Sequence, residues 1–153
     1  MMSLNASLTI STNIMKKQSS SFIKEEILEV ETKQLLNLID NKPNELGIIY
    51  DTFLKENIDV ADVLYILEKT KNAKIIYYQG SVCFEYLMEA ILLEKHFDKN
   101  SKTLFALKRS LPIDKDDTLV NTVKNIFTNE LIINTIIDKE LEKEQFEALL
   151  LVT

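Results

Sequence analysis

The sequence predicts an all-α fold, a compact bundle of six to eight helices behind a disordered N-terminal leader. Three observations carry that expectation. Only two glycines and two prolines occur in 153 residues, whereas sheet-rich folds use both in frequent turns. Apolar residues recur at helical spacing in several windows. The chain is 46% hydrophobic and 27% charged, the composition of a folded body. This length predicts one helical domain, residues 21–153, preceded by a flexible polar leader, residues 1–20.

The leader is marked by charge. Residues 1–24 hold no Asp or Glu and ten Ser, Thr or Asn, and all 24 acids follow them. Lys16, Lys17 and Lys24 give the N-terminal stretch +3, and the rest carries −9, for a net charge of −6. Leu4, Leu8, Ile10 and Ile14 alternate with polar residues, so no continuous apolar region of a secretory signal peptide forms.

The first helix is expected to start at Ser20 or Ser21, whose hydroxyls can cap free amides. It runs to about Asp40, with Ile23, Ile27, Val30 and Leu38 on one side and Glu25, Glu26 and Glu29 on the other. Pro43 stops it. Asn44 begins a second helix to about Lys55 through Leu46, Ile49 and Phe53. Asp59 then caps a third, with Val60, Val63, Leu64 and Leu67 in a narrow stripe.

Ala73–Gly80 divides the evidence. Ile75, Ile76, Tyr77 and Tyr78 prefer strands, and Gly80 could close a short hairpin over 74–84 into Val82–Phe84. An isolated hairpin is marginal unless it packs on helices, so helix is the favoured reading. Phe84, Leu87, Met88, Ile91 and Leu92 mark a helix ending near Phe97. Ser101 caps one to about Leu111, where Pro112 ends it. Asp116 or Asp117 caps another through Leu119, Val120, Val123, Ile126 and Phe127. Leu131, Ile132, Ile133, Ile136 and Ile137 surround their helix on all sides, which implies burial or a dimer seam. Glu142–Val152 packs through Phe146, Leu149 and Leu150.

Catalytic groups are sparse. His96 is the only histidine. On a regular helix it shares a face with Glu85 and Glu89, an arrangement able to do acid–base work or hold a metal. A solvated helix face is the simpler reading. Bundle di-iron sites need two Glu-x-x-His pairs, which one histidine cannot supply. Cys83 lies between Val82 and Phe84, where a thiol is a small core residue rather than a nucleophile. Asp114, Asp116 and Asp117 resemble the start of a calcium loop, but Leu119 and Asn125 occupy the positions of the required Gly and Glu. Helix capping explains these acids. Lys69, Lys71 and Lys74 read as a helix C-terminus favoured by its dipole. No Gly-rich phosphate loop, Gly-x-Ser-x-Gly, Cys-x-x-Cys or His-Glu-x-x-His occurs. No cofactor is therefore expected.

Two stretches resemble targeting signals in composition. Residues 1–24 resemble the unfolded N-terminal export signals of type III secretion substrates. The stretch from Asp138 to Thr153, with five acids in 138–147 and an apolar end, resembles the acidic C-terminal signals of some type IV effectors. Those resemblances imply a bacterial, secretion-associated effector, chaperone or regulator.

The acidic body disfavours general binding to nucleic-acid phosphates and suits a basic protein partner. No apolar run reaches the ~20 residues that span a bilayer. The lone cysteine fits a reducing cytoplasm. The functional expectation is thus a non-enzymatic protein-interaction module, cytoplasmic or exported by a specialised secretion system. Its partner-binding acids would be Glu85, Glu89, Glu140, Glu142 and Glu144. The alternatives are an inhibitor or immunity protein for a basic enzyme, and an enzyme using the Glu85/Glu89/His96 face. A homodimer is compatible with either binding reading.

Overall fold

The chain folds as a mixed sheet covered by helices, not as an all-α bundle. The computed structural model describes residues 8–14, 22–41 and 59–153. In chain order these form β1 (Leu8–Ile14), β2 (Ile23–Glu31), α1 (Thr32–Asn41), α2 (Val60–Leu67), β3 (Asn72–Ser81), α3 (Glu85–Glu94), β4 (Lys102–Arg109), α4 (Thr118–Ile126), β5 (Glu130–Ile137) and β6 (Gln145–Val152). The six strands lie in the order β1-β2-β3-β6-β4-β5. Only β4 and β5 pair in parallel, and the other neighbours are antiparallel.

Strand alternation divides the core into two layers. Ala73, Ile75 and Tyr77 of β3 join Leu104 and Ala106 of β4 and Leu149 and Leu151 of β6 on one face. Leu35 of α1 and Val63, Ile66 and Leu67 of α2 cover them. Ile76 and Tyr78, Phe105 and Leu107, and Phe146, Ala148 and Leu150 point to the other face. There Met88 and Leu92 of α3 and Leu119, Val120 and Val123 of α4 complete the layer. Residues i and i+2 of a strand share a face, so a strand with both faces covered must be apolar throughout.

That property explains four of the corrections. Ala73–Gly80 lies in β3, paired with β2 and β6 instead of folding into a hairpin with Val82–Phe84. Val82–Phe84 is a 3-10 turn. The stretch after Ser101 is β4, Leu131–Ile137 lies in β5, and Phe146, Leu149 and Leu150 are buried in β6. Each is apolar on consecutive positions, a pattern that cannot separate a buried strand from a buried helix. The expected helix from Ser21 to Asp40 is divided: Ile23–Glu31 is strand, and only Thr32–Asn41 is helix. Inside the expected leader, Leu8–Ile14 pairs with β2, so the leader reading is also corrected. The helix expected over 44–55 lies outside the described residues.

Three helices match their local signals. Asp59 caps α2, accepting from the Ala61 amide at 2.9 Å. Asp117 caps α4, accepting from Leu119 at 2.9 Å and Val120 at 3.2 Å. The helix expected from Phe84 is α3, which stops at Glu94. Among the described residues no helix is long and apolar enough to cross a membrane.

Because β3 and β4 are both antiparallel to β6, and β5 is parallel to β4, their carboxyl ends lie at one end of the sheet. The first turns of α3 and α4 and the β5–β6 turn gather there. This end holds four of the five acids expected to bind a partner.

Candidate interaction site

Arg109, the chain's single arginine, organises this end. It closes β4, and its side chain reaches both helix starts. Its Nε donates to Glu85 Oε2 at 2.9 Å, and a second nitrogen donates to Glu85 Oε1. The third donates to Asp117 Oδ2 at 2.7 Å. A planar guanidinium suits such a fork. Asp117 therefore has two tasks, capping α4 with one oxygen and holding Arg109 with the other. Glu85 stands in the first turn of α3 and Asp117 is the N-cap of α4, both positions where the helix dipole favours negative charge.

The charges perturb one another. Burial pushes the Glu85 carboxyl up, and Arg109 only partly offsets it. Burial acts the same way on Asp117. There the Arg109 hydrogen bond, the Val120 and Leu119 amides and the guanidinium charge outweigh it, holding the carboxyl below its usual range. Burial would lower Arg109, but hydrogen bonds to Glu85 and Asp117 raise it further above neutrality.

On the other sheet face, Lys108 Nζ lies 3.9 Å from both Asp138 and Glu147. Burial raises the Glu147 carboxyl; Asp138 adds to this, while Lys108 and Tyr77 oppose it. Lys108 thereby ties the start of the β5–β6 turn to the sheet.

The backbone of that turn is pinned along its length. The Asp138 amide donates to the Arg109 carbonyl at 2.8 Å. The Glu140 amide donates to Asp138 Oδ1 at 3.0 Å. The Leu141 amide donates to the Asp138 carbonyl at 3.1 Å, and the Gln145 amide to that of Glu142 at 2.9 Å. At its far end the Val82 amide donates to the Glu144 carbonyl at 2.6 Å. Glu140, Glu142 and Glu144 remain exposed, alternating with exposed Lys139 and Lys143.

The five expected partner-binding acids thus occupy different environments. Glu85 is buried on Arg109. Glu89 is half-buried and accepts from Thr122 Oγ1 at 2.8 Å, linking α3 to α4. Only the three turn acids are exposed together. His96 does not join Glu85 and Glu89, because α3 ends two residues before it. It lines a cleft of about 500 Å³ with Glu29, Lys74 and Asp98, a cleft that includes neither Glu85 nor Glu89. Among the described residues no group of three or more His, Cys, Asp or Glu is placed to hold a metal.

Cys83 is exposed in the 3-10 turn, with its Sγ 3.2 Å from Ser81 Oγ, and is not the core residue expected. It precedes α3 and His96 follows it, so about 15 Å of helix separates them. Asp114 accepts from the Asp116 amide at 3.0 Å, a turn contact that leads into the Asp117 cap. Lys69 lies beyond the end of α2 with φ 63° and closes the turn into β3.

Sequence reasoning assigned Arg109 no role. Its signal was a single arginine two residues beyond the apolar run Leu104–Leu107, between acids at 85 and 117.

No protein-family model and no curated protein matches the chain. Among solved structures the chain is similar to a mutant FtsZ of M. jannaschii, with 19% identity and a TM-score of 0.48. That match covers 79% of this chain and 38% of the other, so this chain spans well under half of that protein's length.

Proposed function

We propose that the domain is a non-enzymatic protein-interaction module that presents its β5–β6 turn to a partner with a basic surface. The observation that carries this reading is a backbone pinned from Asp138 to Gln145 beneath three exposed glutamates. A preordered loop loses less entropy on binding than a mobile one. Opposed charges raise the encounter rate and fix orientation more than they add affinity. Glu85 supports the turn from within the fold through Arg109, whose carbonyl holds the Asp138 amide, while Glu89 joins α3 to α4 through Thr122.

The test is capture with the full chain and with the Glu140→Lys/Glu142→Lys/Glu144→Lys variant. Reversal of three exposed acids elsewhere, Glu29→Lys, Glu68→Lys and Glu94→Lys, is the control for net charge. A partner retained by the native chain and the control, released by salt and lost with the turn variant is expected. Equal capture by all three would exclude the turn as the binding site. A captured basic enzyme that loses activity on binding gives the inhibitor reading. A captured secretion component gives the effector, chaperone or regulator reading.

A further inference from the structure

Among the described residues the sheet ends at β5. Its single strand neighbour among the described residues is β4, so its other edge offers backbone donors and acceptors. Natural edges are usually protected by Lys, Pro, a bulge or brevity. From Leu131 to Ile137 this strand has no charge, proline or glycine, and Ile137 is 52% exposed.

The geometry points to a second copy of this chain as the occupant, with β5 pairing antiparallel to β5 about a two-fold axis. An antiparallel two-fold keeps each sheet face continuous, so residues of one face must oppose residues of the same face. With Asn134 on the axis, Ile132 opposes Ile136, Leu131 opposes Ile137, and Ile133 opposes Thr135. The strand is complementary to itself from Leu131 to Ile137. An uncharged edge has no means of selecting a basic or an acidic strand. Asn134 Nδ2 is buried with no acceptor among the described residues, and a turn of its side chain toward the edge would bring it to the second copy's Asn134. This observation is independent of the acidic turn.

The same register brings Glu130 opposite Asp138 of the second copy. Both are already engaged, Glu130 by the Tyr65 hydroxyl at 3.0 Å and Asp138 by Lys108 at 3.9 Å. Their repulsion, added to a net charge of −6 per chain, makes dimerisation stronger as salt rises. The turn's contact with a basic partner responds to salt in the opposite direction.

Sedimentation equilibrium of the full chain reads this directly. The expected result is a monomer–dimer equilibrium that tightens between low and moderate salt. It should be lost in Thr135→Lys and Ile137→Lys, two exposed positions, with melting temperatures close to native. A native chain that stays monomeric to about 100 µM, the weak range of specific association, overturns the proposal. So does a dimer that survives in both folded variants. Register is read with Asn134→Cys in a Cys83→Ser background. Opposed Cα atoms about 4.5–5.5 Å apart fall within the disulfide range. Added diamide takes up two electrons and two protons from the two thiols, and the S–S bond forms between chains. Rapid cross-linking at 134 and slow cross-linking in Ile137→Cys is expected; the reverse overturns the register.

Discussion

Arg109 grips Glu85 with two of its nitrogens, joining the last residue of β4 to the first residue of α3. The contact closes the end of the sheet where β3 and β4 finish, and Asp117 extends it to α4.

Removing one partner of a buried, hydrogen-bonded ion pair leaves the other charge without compensation. Arg109→Ala should therefore cost about 3–5 kcal/mol, read as a fall in the urea midpoint. Arg109→Lys keeps the charge but loses the fork, and should lie between the native chain and Arg109→Ala. A loss below ~1 kcal/mol in Arg109→Ala would mean that the clasp contributes no more than a surface pair.

Stability should peak in mild acid. Burial holds Glu85 and Glu147 above the usual carboxyl range, so the folded state binds their protons first as pH falls. Their contribution is fully present below the unfolded value, about 4.3, and is lost as pH rises through the folded values. Asp117 is held low, so its contribution is present above about 3.9 and lost as pH falls through its folded value. The urea midpoint should rise from pH 7 toward about 5 and fall below about 4. Glu147→Gln should flatten the first limb and leave the second.

Tyr78 donates to Glu25 Oε2 at 2.6 Å inside the layer beneath α3, and Lys95 Nζ approaches the same oxygen at 3.2 Å. Tyr78→Phe should cost about 1–3 kcal/mol, because a buried carboxylate loses a donor. Burial, with the charge and hydrogen bond of Glu25, keeps the Tyr78 hydroxyl protonated far into the alkaline range. Its ultraviolet ionisation should appear only as the fold opens.

Gly80 stands opposite Ile23 in the β2–β3 ladder. A Cβ there would lie 2.6 Å from the Phe22 carbonyl oxygen and 2.9 Å from Ile23 Cγ1. The backbone must move to admit it, so Gly80→Ala should destabilise by about 1–3 kcal/mol. A thermal melt unchanged from the native chain would show that the two strands separate there freely.

Part of the site was legible without the fold. The turn acids Glu140, Glu142 and Glu144 were expected to be surface groups, and they are exposed. Glu85 belonged to the same expectation, yet it faces a guanidinium 24 residues away in the chain. No local pattern marks that pairing, since it exists only once β4 and α3 meet.

The sequence by itself determined the cap at Asp59, a cap at Asp116 or Asp117, the extent of α3 through Leu92, and the burial of Phe146, Leu149 and Leu150. Those depend on neighbours within one or two turns, or on hydrophobicity alone. Only the tertiary structure decided that Ile75–Tyr78, Leu104–Leu107, Leu131–Ile137 and Leu149–Val152 extend as strands. Each pairs with residues distant in the chain, and with helices on both faces each can be apolar at every position, which removes the period that distinguishes strand from helix.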